Sequence, residues 1–261
     1  MTRLSPHRGP FARERRAVRR PPGCDHHHAP HQTALGEEIL IVAEPLVRGR
    51  PNAAPQAPLA SMERLTKRIF DLVGASALFV VSLPAFALVA LLIRLDSPGP
   101  VFFRQRRRGL HNEFFEMIKF RSMHVAMCDP LAHRLTSRHD PRVTRVGGFL
   151  RRWSLDELPQ LLNVIQGTMS LVGPRPHPLR AKAGEHLYEE VVPNFALRYR
   201  VKPGITGWAQ VNGLRGNTDS EGKLVRRFEY DMQYILHWSL WLDVRILLQT
   251  PLVIVLGENA Y

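Results

Sequence analysis

The chain of 261 residues has room for one good-sized domain with attachments. Its formal charge of +13 and pI near 10.7 call for an anionic partner: nucleic acid, a membrane surface or a phosphorylated substrate. Two cysteines, Cys24 and Cys128, are too few and too scattered for a disulfide framework or a zinc site, which suits a reducing compartment.

Residues 1–61 read as a disordered polar tail. They carry Arg-Pro-Pro and Pro-Gln-Ala-Pro runs and the cluster His26-His27-His28 with His31, without a sustained apolar period. No apolar stretch follows the early arginines, so the chain shows no signal peptide. Met62 stands at the edge of the ordered-looking region and is predicted as an alternative start of translation.

From Val73 to Ile93 the chain has 21 residues without a formal charge, about 31 Å as a helix and enough to cross a bilayer. Pro84 lies near its midpoint, where it removes a helix hydrogen bond and forces a bend. Both flanks are basic, with Arg64, Lys67 and Arg68 before and Arg94, Arg104, Arg106, Arg107 and Arg108 after. Two readings fit: a kinked single-span anchor, or a segment that dips in, bends at Pro84 and returns to the cytoplasmic side.

Val101 to Phe120 reads as a β-hairpin about a Gly109–Asn112 turn, with its phenylalanines assigned to the core. A loop from Asp140 leads into a short helix near Gly147–Arg152, and Glu185–Arg200 and Lys223–Leu236 read as amphipathic helices. At the C-terminus Trp238, Trp241, Leu242, Ile246, Leu247 and Leu248 surround Asp243 and Arg245. Such a helix suits the headgroup level of a membrane, or packs on the domain itself.

Chemistry concentrates in Ser154–Pro176. Ser154-x-x-Glu157 matches a capping box, which places Asp156 in a helix's first turn, although Pro159 also permits a start nearer to itself. A carboxylate nucleophile must stay ionised and must meet a substrate whose negative charge is neutralised. Asp156 and Glu157, preceded by Arg151-Arg152 and followed by Arg175 in a Pro174-Arg175-Pro176 corner, answer both needs for a phosphorylated substrate. Lys119 and Arg121 add positive charge after the hairpin. One carboxylate together with substrate phosphates would hold a divalent cation, and the lack of a dedicated cage suits magnesium better than zinc. Lys202–Gln210 is a Pro/Gly-rich loop that either closes over a ligand or makes a structural turn. Neither G-x-x-x-x-G-K-[ST] nor G-x-G-x-x-G occurs, which speaks against nucleotide loops of those types. Nucleic-acid binding is disfavoured, since acids at the centre of the basic region repel phosphate.

These motifs, in this order, resemble the bacterial sugar transferases, or monotopic phosphoglycosyl transferases. The similarity runs over residues 64–255 through Lys-Arg-Ile-Phe-Asp-Leu, Gly-Pro-Val-Phe-Phe-Arg-Gln, Lys-Phe-Arg-Ser-Met, Ser-Leu-Asp-Glu-Leu-Pro-Gln, Leu-Val-Gly-Pro-Arg-Pro and Lys-Pro-Gly-Ile-Thr-Gly-Trp. The resemblance implies an α+β, mostly helical fold. Residues 62–96 would form a re-entrant membrane helix, and 97–261 a small catalytic domain on the cytoplasmic face of the bacterial inner membrane, with a β-hairpin and interfacial helices. It implies transfer of a sugar 1-phosphate from a UDP-sugar to polyprenyl (undecaprenyl) phosphate with release of UMP, starting a lipid-linked glycan such as an exopolysaccharide. Asp156 would be the nucleophile that forms a covalent phosphosugar intermediate, and Glu157 the Mg2+ ligand. Arg151, Arg175 and Lys119 would bind substrate. Three departures stand out: Thr168 where the family usually has an acid, Leu83 between Ser82 and the kink proline, and a polar tail where longer members have a multi-span domain.

Overall fold

In the computed structural model residues 60–127, 136, 140–178, 181–218 and 220–256 are described; both cysteines and the histidine cluster lie outside them. The fold is mostly helical with three two-stranded sheets. Helix α1 (Ser61–Asp96) comes first, followed by the hairpin β1 (Phe102–Arg108) and β2 (Phe114–Phe120) and by α2 (Arg145–Arg152). A single 3-10 turn (Leu155–Glu157) separates α2 from α3 (Gln160–Gln166). Strand β3 (Ser170–Val172), the short strands β4 (Lys182–Ala183) and β5 (His186–Leu187), and α4 (Tyr188–Val191) continue the chain. After a 3-10 helix (Phe195–Arg200) come β6 (Gly204–Thr206), α5 (Trp208–Val211), α6 (Glu221–Leu236) and α7 (Leu240–Leu256).

Helix α1 is gripped by the rest of the chain on both sides of Pro84. Before the proline, Lys67, Asp71 and Ala75 recur every four residues and form one buried face. Lys67 Nζ donates to Asp243 Oδ2 at 2.7 Å and to the Val172 carbonyl at 3.1 Å. Asp71 Oδ1 accepts from Ser170 Oγ and from the Leu171 amide, each at 3.0 Å. After the proline, Val89 and Ile93 join Phe120 and Leu150 in a small second core, and Asp96 Oδ2 accepts from the Val146 amide at 3.1 Å. Val80, Val81, Leu83 and Pro84 between these grips are exposed. The Phe79 and Phe86 rings touch across the proline at 5.3 Å between centroids. Ser82 Oγ donates to the Phe79 carbonyl at 3.0 Å, so a serine two residues before the proline still serves the backbone there.

The hairpin forms as expected, in antiparallel register with Gln105 opposite Met117 and Phe103 opposite Lys119. Strand alternation divides its side chains between two faces. Gln105, Arg107 and Met117 are buried on the inner face, whereas Phe102 and Phe114 are exposed, so only part of the phenylalanine set fills a core. Asn163 of α3 fastens the hairpin: its Oδ1 accepts from the Ile118 amide at 2.9 Å and its Nδ2 donates to the Glu116 carbonyl at 2.7 Å. Thr168 Oγ1 donates to the Asn163 carbonyl and accepts from Asn163 Nδ2, both at 3.2 Å, so this position closes the end of α3.

The main core packs Phe228, Met232 and Tyr234 of α6 against Leu171 and Val172 of β3 and Phe195. Strand β3 pairs in parallel with β6, Ser170 opposite Gly204 and Val172 opposite Thr206. Gly173 and Gly204 approach so closely that a Cβ on either would collide with the other's backbone region. The Lys202–Gly204 end of the Lys202–Gln210 segment is therefore a structural turn, while Trp208–Gln210 at its other end lies in α5. The expected helix over Glu185–Arg200 does not form: β5, α4 and a 3-10 helix share it, with Pro193 between the helical pieces. Lys223–Leu236 lies inside α6 as expected. In the last segment Trp238 Nε1 donates to buried Asp243 at 3.2 Å, while α7 turns Trp241, Leu248, Leu252 and Val255 outward.

Candidate active site

Strands and turns bring the charged motifs to one cavity of about 250 Å3. Lys119 and Arg107 come from the inner face of the hairpin, Arg151 from the end of α2, Asp156 and Glu157 from the following turn, and Arg175 from the corner after β3. Arg142, Arg215 and Arg227 also line it, giving seven cationic side chains against two carboxylates. Such a lining favours an anion.

The turn bearing the carboxylates differs from the expected capping box. Ser154 takes a left-handed φ of 54° and makes no side-chain cap; its Oγ accepts from Arg215 Nη2. Leu155–Glu157 is a 3-10 turn, and α3 begins at Gln160 after Pro159. Proline fits beside a helix start but not at the fifth helical position, where a helix capped by Ser154 would put Pro159, which is why the later start wins. Asp156 and Glu157 therefore sit in a 3-10 turn just ahead of α3 and not in the first turn of an α-helix.

The two neighbouring carboxylates are held in opposite ways. Glu157 Oε1 accepts from Lys119 Nζ at 3.0 Å and from Arg175 Nη2, and its Oε2 accepts from Arg175 Nη1 at 3.0 Å. This fork holds the Glu157 carboxyl far below the usual range despite its burial. Asp156 is 7% exposed and has no hydrogen-bond partner among the described residues. Burial raises its pKa and Glu157 adds to the rise, against the pull of Lys119, Arg151 and Arg175. Burial also lowers Lys119, and pushes the Arg107 guanidinium down to about 9 with Arg175 adding to the drop.

Surrounding contacts hold these cations in place. The Arg175 carbonyl accepts from Arg198 Nη2 at 2.9 Å, and Arg198 Nε is itself bound to buried Asp231 at 2.8 Å. Arg151 Nε donates to Ser122 Oγ at 3.0 Å. Two arginines counted in the sequence reading lie elsewhere. Arg121 is buried and donates to the Ser97 carbonyl at 2.7 Å and to that of Pro98, tying down the end of α1. Arg152 does not line the cavity and sits over the Trp153 ring.

Sequence reading missed a second set of cavity residues, Arg107, Gln160, His177, Arg215 and Thr218, and named Gln210 only as the end of the Lys202–Gln210 loop. Each has a buried polar atom without a hydrogen-bond partner among the described residues. Arg107 was counted only as part of a basic flank, yet hairpin alternation puts it inward with Lys119. Nothing local marks Thr218.

Glu157 keeps about one of a carboxylate's four lone-pair positions after its three bonds, and Asp156 keeps all of its own. Among the described residues no cluster of three or more His, Cys, Asp or Glu forms a metal cage. This donor set fits magnesium, which needs only one or two carboxylates when phosphates and water complete its shell.

Comparison with known proteins gives the chain a family. The model of the bacterial sugar transferase family matches residues 62–257. An undecaprenyl-phosphate glucose phosphotransferase of Komagataeibacter xylinus is 50% identical over 204 residues, 78% of this chain and 38% of that protein. A UDP-glucose:undecaprenyl-phosphate glucose-1-phosphate transferase of Escherichia coli K12 is 47% identical over 204 residues, 78% of this chain and 43% of that protein. The exopolysaccharide production protein PSS of Rhizobium leguminosarum bv. phaseoli is 46% identical over 189 residues, 72% of this chain and 94% of its own length. The chain thus spans less than half of the first two relatives. Matched over residues 62–257, the chain belongs to the bacterial sugar transferase family.

Proposed function

We propose that this chain transfers a sugar 1-phosphate from a UDP-sugar to undecaprenyl phosphate at the cytoplasmic face of the bacterial inner membrane, releasing UMP and starting an exopolysaccharide or another lipid-linked glycan. The observation that carries the reading is the Asp156 carboxylate, without a hydrogen-bond partner among the described residues, beside an ionised Glu157 in a cationic cavity built on the same unit that grips the apolar helix α1.

In the first step an Asp156 oxygen attacks the β-phosphorus of the donor. An O–P bond forms, the bond from that phosphorus to the bridging oxygen breaks, and UMP leaves with the electron pair. In the second, a phosphate oxygen of undecaprenyl phosphate attacks the same phosphorus, the aspartyl–phosphorus bond breaks, and the carboxylate is regenerated. A covalent intermediate lets a soluble donor and a lipid acceptor use one cavity in turn. Arg175, Arg151 and Lys119 orient the diphosphate and offset its charge, which supplies most of what a loose phosphoryl transfer requires. Glu157 would hold Mg2+ together with the donor phosphates. The ion would supply charge neutralisation at those oxygens.

Membrane attachment follows from α1. Its apolar residues near Pro84 face away from the domain, and both of its ends are fastened to one folded unit. A helix that enters and leaves the bilayer on one side satisfies both facts, with the outward Trp241 stripe of α7 lying in the interface. Thiol labelling tests this with single cysteines at the exposed positions Met62 and Pro100 on a background without Cys24 and Cys128. Both should react from the cytoplasmic side only, and reaction of the two from opposite sides would rule out re-entry.

Purified protein with Mg2+, UDP-glucose and undecaprenyl phosphate should release UMP and form a lipid-linked sugar diphosphate, and Asp156→Asn should do neither. Glucose is tested first because the names of the two most identical relatives described above include it. Absence of UMP release with every UDP-sugar in a panel would sink the proposal.

A further inference from the structure

Resting on the transferase reading above, we propose that His177 and Thr218 form the sugar-selecting end of the cavity and hydrogen-bond hydroxyl groups of the donor's hexose. His177 is 6% exposed and Thr218 2%, and both line the cavity. His177 Nε2 and Thr218 Oγ1 are buried without a hydrogen-bond partner among the described residues. Unmet polar atoms inside a fold cost stability, so their presence beside an open volume points to a ligand that meets them.

One structural unit holds the two residues. Tyr188 packs edge-on against the imidazole, with ring centroids 5.0 Å apart, and Phe195 flanks it at 5.7 Å. The Tyr188 hydroxyl donates to the Thr218 carbonyl at 2.9 Å. Arg227 Nη2 donates to the carbonyls of Leu214 and Gly216, fixing the loop that carries Thr218. The imidazole is thus oriented by packing, not by a hydrogen bond at Nε2. Burial, with Arg198, Arg227, Arg107 and Arg175 around it, keeps the ring well below its usual titration range. A neutral imidazole and a hydroxyl each offer both a donor and an acceptor, the pairing that sugar hydroxyls use.

Position favours the hexose over the uracil. His177 follows Arg175 by two residues, at most about 7 Å between Cα atoms. A diphosphate held at Arg175 therefore leaves its sugar within reach of His177. Pyrimidines favour an aromatic face to stack on. Here the Tyr188 and Phe195 rings are already packed on the imidazole, while Phe103 and Met123 supply an apolar lining from the hairpin side.

The test compares kcat/KM for UDP-glucose and its C4 epimer UDP-galactose, together with inhibition by UMP, in the wild type, His177→Ala, His177→Gln and Thr218→Val. His177→Ala should lower kcat/KM for the preferred donor about tenfold or more and shrink the ratio between the epimers, as the loss of one polar contact does. UMP inhibition should stay unchanged, and His177→Gln should recover part of the ratio. Thr218→Val keeps the side-chain shape and decides the matter if His177→Ala fails to fold in a thermal melt. Equal losses for both donors, or a parallel weakening of UMP inhibition, would overturn the assignment while leaving the transferase reading intact. A wild type that releases no UMP from any donor overturns that reading and this assignment with it.

Discussion

Two of the buried charge clusters among the described residues differ in how fully their polar groups are used. At the root of α1, Lys67, Asp71 and Asp243 sit together, each under 9% exposed. Lys67 reaches Asp243 and the Val172 carbonyl, Ser170 and Leu171 reach Asp71, and Tyr234 Oη lies 2.8 Å from Asp243 Oδ1. None of the buried polar atoms that lack a partner among the described residues belongs to that cluster. In the cavity Glu157 is equally well held, but Asp156 is not, and six buried polar atoms around it have none. Both clusters contain a lysine and two buried carboxylates. Buried charge alone does not distinguish a structural lock from a working site; unused hydrogen-bonding capacity beside an open volume does.

Substitutions can break this contrast. The largest effect is expected for Asp156→Asn: sugar-phosphate transfer should fall about 10^4-fold or more, as when a covalent nucleophile is removed. Stability should hold or rise slightly, because burial disfavours the charged form that asparagine replaces. Unfolding by urea and UMP release measure the two sides. Asp243→Asn should do the reverse. Leaving Lys67 buried without its partner should cost about 3–5 kcal/mol, while the turnover of the molecules that remain folded is preserved. Arg175→Lys replaces a fork on both Glu157 oxygens with a point charge, and about a 100-fold loss in kcat/KM is expected with the fold retained.

The smallest effect sharpens the contrast between the two neighbouring carboxylates. Asp156 must be ionised to attack, and its pKa lies above the ordinary 3.8, so the acid limb of kcat/KM should fall at higher pH than a solvated aspartate would give. Glu157 works in the other direction. Its folded pKa is depressed, so its contribution to stability is present above its ordinary 4.5 and is lost only as pH falls below that value. Activity should therefore disappear on acidification before the Glu157 contribution to stability does. A pH–rate profile alongside urea midpoints checks the order.

Much of the fold was readable because its signals are local. Alternation and a Gly-led turn mark the hairpin, the long uncharged run marks α1, and the amphipathic spacing of Lys223–Leu236 marks α6. Reading failed where one residue overrode a pattern. Pro193 divides Glu185–Arg200, and Pro159 moves the start of α3 past a Ser-x-x-Glu match that does not cap. Lys119, Arg151, the Asp156-Glu157 pair and Arg175 are drawn to one cavity from four places in the chain, and their charge was the visible sign. His177 and Thr218 gave no such sign. What marks them is a missing partner, and that property exists only after folding.

The most direct test of the account is to trap the enzyme with a labelled UDP-sugar in the absence of acceptor, digest it and map the adduct. The account predicts one phosphosugar on the peptide containing Asp156, discharged when undecaprenyl phosphate is added. Continued formation of lipid-linked product with no modified Asp156 at any time would contradict it.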